Sequence, residues 1–354
     1  MSQQPATSAR TSPTASRAAT VAHSSFEHRA DIWVENPVRY KRPGPFSAAG
    51  STLRAGVAIS LIMLICAAAL GAGAKFFTGK QPKYASLARA SLDTPPLRDR
   101  CHHDDAPFNG LPDRKRCTMG DPAHITAVLW GDSHADHLAP LMGAFVEKHG
   151  SGGILQRSFS SCRSLEADAR KVTEQTDACL QFNMAVEEEI SELRKQGMKG
   201  VVLSSMWITV FPADLAQPGV SSARRRADAI AAVDHVVSKL ESEGLRIVIV
   251  APTYIMPRSV PQCLARHSDE QCSAVRKSIE ARRHPALAAL EEIAAAHPGT
   301  VRLWDPVESL CDAQLCPARR GKTVMFTDDL HLSASAAREL LSSADPTLSW
   351  LVQD

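Results

Sequence analysis

From about residue 100 to the end of the chain, short apolar runs alternate with longer stretches of helical period. No other property constrains the fold as much. The apolar runs lie at 125–130, 153–156, 200–204, 246–251 and 300–304. The helical patterns lie at 134–148, 180–196, 222–243, 275–296 and 333–351. Continuous apolar strands alternating with helices predict a parallel sheet covered on both faces. Five strands in this order suit an α/β, flavodoxin-like three-layer domain over residues 101–354, which is long enough to bury a sound core. Ligands of such folds bind beyond the carboxyl ends of the strands.

Ahead of this domain, residues 55–74 are twenty positions without a charge. About 20 apolar residues cross a bilayer as a helix, so residues 55–77 are predicted to be a transmembrane helix. A cleaved signal peptide competes with this, because Ala72-Gly73-Ala74 resembles a signal-peptidase site. The long N-terminal region disfavours cleavage. Residues 1–54 are rich in Ser, Thr, Ala, Pro and Arg, and read as a disordered cytoplasmic tail. Pro82, Pro95 and Pro96 mark 78–100 as a stalk. Basic residues flank the apolar segment on both sides, so charge alone sets its orientation weakly. A net charge of +2 gives no reason to expect a nucleic-acid partner.

Eight of the nine cysteines follow the apolar segment. Sequence proximity pairs them as Cys101–Cys117, Cys162–Cys179, Cys263–Cys272 and Cys311–Cys316. Disulfides persist in oxidising compartments. The domain is therefore expected in the periplasm or exterior, anchored in the inner membrane by a single crossing. Reduced or metal-binding cysteines are the alternative, but no Cys-x-x-Cys is present.

The chemistry-bearing residues fall at both ends of the domain. Gly131-Asp132-Ser133-His134 follows the first apolar run and opens a helical segment. A serine at such a turn exposes its hydroxyl and carries its own N–H at a helix N-terminus. Asp328-Asp329-Leu330-His331-Leu332-Ser333 lies near the end of the chain. An Asp-x-x-His can supply a base and its orienting carboxylate, which completes the set needed for serine-nucleophile acyl chemistry.

These residues resemble the SGNH hydrolase superfamily. They are most similar to its periplasmic SGNH domains associated with acyltransferase family 3 membrane O-acyltransferases. Beyond the Gly-Asp-Ser-His turn, the similarity rests on Ser161-Cys162, on Cys179-Leu180-Gln181-Phe182-Asn183, and on Cys311 to Cys316 ahead of Asp328 to Ser333. The resemblance implies Ser133 as nucleophile, His331 as general base and Asp328 as the residue that orients it, with Asp329 as the adjacent alternative. One departure stands out. Family hydrolases carry a Gly after the second strand and an Asn after the third as oxyanion donors. Here those positions read Ser160-Ser161-Cys162 and Ser204-Ser205-Met206-Trp207. The Ser133 N–H, the Ser161 N–H and the Ser205 hydroxyl are the candidate donors instead.

Other residues admit two readings. Trp207 is placed either as a stacking platform for a sugar or as packing in the crevice. His134 is a candidate substrate contact; with His137 it is expected to form a helix-surface pair rather than a metal site. Cys101-His102-His103-Asp104-Asp105 is read as a disulfide flanked by a polar loop. No metal and no cofactor are expected, since neither a Gly-x-Gly-x-x-Gly nor a Walker loop occurs.

The expected function is O-acyl transfer, acetyl by family resemblance, to an envelope glycan through an ester on Ser133. A separate multi-pass membrane acyltransferase is the expected acyl donor. The alternatives are a carbohydrate O-acetyl esterase and a catalytically silent glycan-binding or scaffold module.

Overall fold

The computed structural model describes residues 49–80, 82–104, 107–150, 152–165, 175–212 and 222–353. Most of the expected N-terminal tail, residues 1–48, lies outside them, as does Asp105. The described part of the first unit, Met1–Lys80, is the helix Ala49–Lys80. Within it, Gly56–Ala74 has a mean hydropathy of 2.4. At 1.5 Å per residue this stretch is long and apolar enough to cross a membrane.

The second unit, Gln81–Asp354, is built on one central sheet. Its long strands are β3 (Ile125–Gly131), β4 (Gly153–Phe159), β5 (Gly200–Ser204), β6 (Arg246–Val250) and β7 (Val301–Trp304). They pair in parallel in the spatial order β4-β3-β5-β6-β7. That is the flavodoxin-like order, in which connections leave β3 in one direction and then the other. Two short strands that the apolar pattern does not reveal, β1 (His102–His103) and β2 (Thr118–Gly120), cap the free edge of β4. They have too few residues to show a period.

Every residue of β3 is buried, and its side chains divide by alternation. Ala127 and Leu129 join Leu141, Met142, Phe145, Leu348 and Leu351 on one face. Val128 and Trp130 join Phe182, Val186, Val233, Val237 and Leu290 on the other. Helices Ala139–His149 and Leu341–Val352 thus cover one side, and Asp177–Lys195, Ser222–Ser242 and Arg276–Ala296 the other.

Two expectations are corrected. The segment 134–148 is not one helix but two, Ser133–Asp136 and Ala139–His149. Pro140 lies in the first turn of the second, where its missing N–H costs nothing. The stretch expected as a stalk contains a helix, Pro82–Ser91, that belongs to the domain. Leu87 and Ala90, three residues apart, are buried in the core. Pro82 starts this helix and Pro95-Pro96 follow its end, so the prolines punctuate a helix rather than marking an extended tether.

Disulfides join Cys101–Cys117, Cys162–Cys179, Cys263–Cys272 and Cys311–Cys316. Among the described residues Cys66, in the apolar helix, is the free cysteine. Loops of this size stabilise by about 2–4 kcal/mol each where unstrained. Alkylating the unreduced, denatured full chain is therefore expected to add one label, on Cys66. A mass increase of several labels would show that the domain cysteines are thiols.

Candidate active site

The nucleophile turn is set by what the end of β3 can tolerate. A Cβ on Gly131 would fall 1.7 Å from the Ser204 carbonyl oxygen on β5, so only glycine lets the two strands approach here. Asp132 then caps the helix Ser133–Asp136, accepting from the His134 N–H at 2.8 Å. Its other oxygen accepts from the Met206 N–H at 2.8 Å, across the gap between β3 and β5. This is where the connections diverge, the place at which doubly wound folds bind ligands. Burial raises the Asp132 carboxyl to about 6, although both backbone N–H groups and the charge of Arg163 oppose the rise.

Ser133 Oγ lies 2.9 Å from His331 Nε2. His331 Nδ1 lies 2.6 Å from Asp328 Oδ2, and Asp328 Oδ1 accepts from the N–H groups of Leu330 and His331, both at 2.7 Å. Burial alone would raise the Asp328 carboxyl. The His331 hydrogen bond, its charge and the two N–H donors outweigh that and hold Asp328 at about 2. An ionised carboxylate only accepts, so Nδ1 carries the proton and the Nε2 lone pair faces the serine hydroxyl. Among the described residues the Asp329 side chain makes no hydrogen bond to this array, and its backbone carbonyl accepts from the Met256 N–H at 2.8 Å. Asp328→Asn is accordingly expected to leave the chain folded and to slow ester turnover by as much as about 10⁴-fold, through loss of the tautomer. Asp329→Asn is expected to stay near wild type. The reverse ranking would reassign the orienting carboxylate.

Two backbone donors follow the carboxyl ends of β3 and β4. Ser133 is the first residue of its helix, where an N–H has no intrahelical partner. Ser161 has φ 56°, the one positive φ outside glycine among the described residues. That left-handed conformation costs roughly 1–2 kcal/mol. Its N–H has no acceptor among the described residues. The turn is held on several sides. Cys162 is bonded to Cys179, and Asn183 donates to the carbonyls of Arg163 (2.7 Å) and Leu165 (2.8 Å) while accepting from Trp130 Nε1 (3.0 Å). Ser164 Oγ donates to the Trp130 carbonyl at 3.1 Å.

Ser205 is buried, and its hydroxyl oxygen accepts from the Ser164 N–H at 3.4 Å, a bond that does not use its O–H donor. Trp207 is no platform for a sugar. Its ring is fully buried and its indole N–H donates to the Val250 carbonyl at 2.9 Å. His134 and His137 are not a surface pair either. Both are buried, with ring centroids 4.8 Å apart, because the short helix that carries them is packed under β4 and the His331 loop. His134 Nδ1 meets Thr253 Oγ1 at 3.0 Å. Burial lowers His134 to about 3, which keeps its ring neutral.

Residues 100–345 match the family model described as "SGNH domain (fused to AT3 domains)". The chain belongs to this SGNH domain family. Its turn, base and carboxylate are those of acyl transfer or ester hydrolysis as a general class. None of the curated proteins matches the chain. Among solved structures it is similar to the periplasmic domain of a lipopolysaccharide acetyltransferase from Salmonella ser. Paratyphi A. Identity is 15%, with 75% of this chain and 96% of that one covered, at a TM-score of 0.49. It is also similar to a putative acylhydrolase from Bacteroides fragilis, at 9% identity, with coverage of 64% and 88% and a TM-score of 0.37.

Sequence reasoning did not single out Arg163. It follows the Ser-Cys pair, and its neighbours Thr209 and Ser161 come together only in the folded chain. Asn183 was visible as part of a motif, but its bracing role needs the loop geometry.

Proposed function

We propose that this SGNH domain transfers an acyl group, acetyl by family resemblance, to a hydroxyl of an extracytoplasmic polysaccharide or other envelope glycan. The observation that carries the reading is the continuous array from Ser133 Oγ through His331 to Asp328, at 2.9 and 2.6 Å. Ser133 attacks the acyl carbonyl and passes its proton to His331 Nε2. Asp328 stabilises the imidazolium. The oxyanion is received by the N–H groups of Ser133 and Ser161. His331 returns the proton to the leaving group, then deprotonates the acceptor hydroxyl that resolves the ester.

The position after β5 supports transfer over fast hydrolysis. The Met206 N–H, a backbone donor at that position, is committed to Asp132. Losing one oxyanion donor costs about 10²–10³ in rate, so an acceptor held in place gains importance relative to bulk water. The apolar helix and the four disulfides support an inner-membrane anchor with the domain in the periplasm. A separate multi-pass membrane acyltransferase is the proposed acyl donor.

Product partitioning tests the reading. The protein is expected to release acetate slowly from a small acetyl ester, and to divert acetyl groups to glycan as glycan concentration rises. Fast acetate release with glycans only ever losing acetyl groups would establish the O-acetyl esterase alternative. Failure of a fluorophosphonate probe to label Ser133 would leave the catalytically silent module.

A further inference from the structure

Arg163 is held at the rim of this site as a cation with unspent donors. Its Nε and Nη2 both donate to Thr209 Oγ1, at 3.1 and 2.8 Å, and Nη1 donates to the Ser161 carbonyl at 2.9 Å. Thr209 is itself fixed, donating to the Met206 carbonyl at 2.7 Å. A guanidinium has five N–H groups. Three are used, which leaves one on each terminal nitrogen. Among the described residues no carboxylate forms an ion pair with Arg163, whereas Arg98, Arg114, Arg157, Arg276 and Arg283 each have one.

The position is costly and is nevertheless enforced. Burial lowers the Arg163 pKa, with the Asp132 charge acting against it. Asp132 makes no hydrogen bond or ion pair with the guanidinium; its two oxygens accept from the N–H groups of His134 and Met206. A half-buried cation without an anion is unfavourable. The main chain at Arg163 is clamped as well: its carbonyl accepts from Gln175 Nε2 at 2.9 Å and from Asn183 Nδ2 at 2.7 Å. The side chain grips the carbonyl of Ser161, the residue whose N–H is offered to the oxyanion. The neighbouring Ser164 reaches the carbonyl of Trp130, three residues before the nucleophile. Immobilised, charged and close enough to feel the charge of Asp132, the residue before Ser133, such a fork matches the two oxygens of a carboxylate.

The geometry points to an acceptor subsite in which Arg163 binds the carboxylate of an acidic sugar, so that the glycan acylated from Ser133 carries uronic-acid-type residues. This rests on the transfer reading above and narrows it to acidic glycans. Arg163 is a binding residue here and takes no part in proton transfer.

Binding is measured by titration calorimetry on the full chain in detergent. The probes are a tetragalacturonate and the same oligomer after reduction of its carboxyl groups to alcohols. The acidic oligomer is expected to bind about tenfold or more tightly than the neutral one at low salt, with the gap narrowing as salt rises. Arg163→Gln is expected to remove the preference while binding of the neutral oligomer stays near wild type. Arg163→Lys, with the charge but not the fork, is expected to retain part of it. Equal affinity for the two oligomers in wild type, no binding of either, or an undiminished preference in a folded Arg163→Gln would overturn the inference. A purely structural role would lower binding of the neutral oligomer as much as that of the acidic one, which also overturns it. Should Arg163→Gln not fold, the wild-type comparison and Arg163→Lys decide. Fluorophosphonate labelling of Ser133 in the same preparation separates the two ideas. Labelling without a charge preference removes the acidic-glycan subsite alone. A charge preference without labelling removes the transfer chemistry and retains the subsite.

Discussion

Ser133→Ala is expected to lower turnover of an acetyl ester by about 10⁴-fold or more, with the domain still folded. The side chain's hydrogen bond is to His331 Nε2, at 2.9 Å, so its loss leaves no buried group without a partner. His331→Ala is expected to cost a similar factor. The double variant is expected to cost little more than either single one, because members of a nucleophile–base pair act as a unit and their effects do not add. Residual turnover over water would come from the N–H groups of Ser133 and Ser161 and from substrate binding. A Ser133→Ala protein that hydrolyses the reporter as fast as wild type would remove Ser133 as nucleophile. Circular dichroism on the same sample would show that the fold is not the cause of any loss.

Gly131→Ala is expected to be the most damaging single methyl group in the domain. The added Cβ would meet the Ser204 carbonyl oxygen at 1.7 Å and its carbon at 2.7 Å, and these are backbone atoms of the neighbouring strand that have no rotamer to escape into. β3 and β5 pair as far as Gly131 and Ser204, so relief means parting the strands at the edge that carries the nucleophile. The Met206 N–H bond to Asp132 would be strained with them. Overpacking of a well-packed interior costs typically 1–3 kcal/mol and occasionally more; a clash with fixed backbone belongs at or above the top of that range. The expected result is a Tm several degrees lower together with near-complete loss of ester turnover. A Gly131→Ala protein with wild-type Tm and activity would mean that the strand ends are much looser than this contact implies. The same substitution at Gly197, which has open space around its Cβ position, tests the comparison, since only its φ of 101° opposes a side chain there.

The sheet was legible because its strands are buried on both faces. Runs such as Val201-Val202-Leu203 and Ile247-Val248-Ile249 carry their burial in their composition. Strand ends were less legible. β4 continues through Gln156, Arg157 and Ser158, all buried and all polar. Arg157 is accommodated there by Glu189, through Nε and Nη2, and such a partner thirty-two residues away leaves no local trace. Ser133, Asp328 and His331 were readable because their chemistry is tied to short motifs. The status of Trp207 and of His134 and His137 was not. Aromatic and imidazole rings look alike in sequence whether they line a crevice or fill a core, and only the packing of the short helix Ser133–Asp136 and the Val250 carbonyl settled the matter. Arg163 was invisible for a related reason: its bond to Thr209, forty-six residues away, leaves no local trace.

The triad joins two parts of the chain that differ in how they are held. Ser133 hangs from β3, a central strand bonded to neighbours on both sides. Amides in such a strand exchange with solvent only on near-global unfolding. His331 and Asp328 sit instead on a turn closed by the Phe326–Leu332 bridge and the Thr327 N–H bond to the His331 carbonyl. Two further bonds, from the N–H groups of Met256 and Val260 to the carbonyls of Asp329 and Asp328, pin that turn to the segment after β6. The turn can open by breaking these few contacts while the sheet stays intact. The free energy of that local opening, rather than the stability of the whole domain, therefore sets how much heat or denaturant the activity survives.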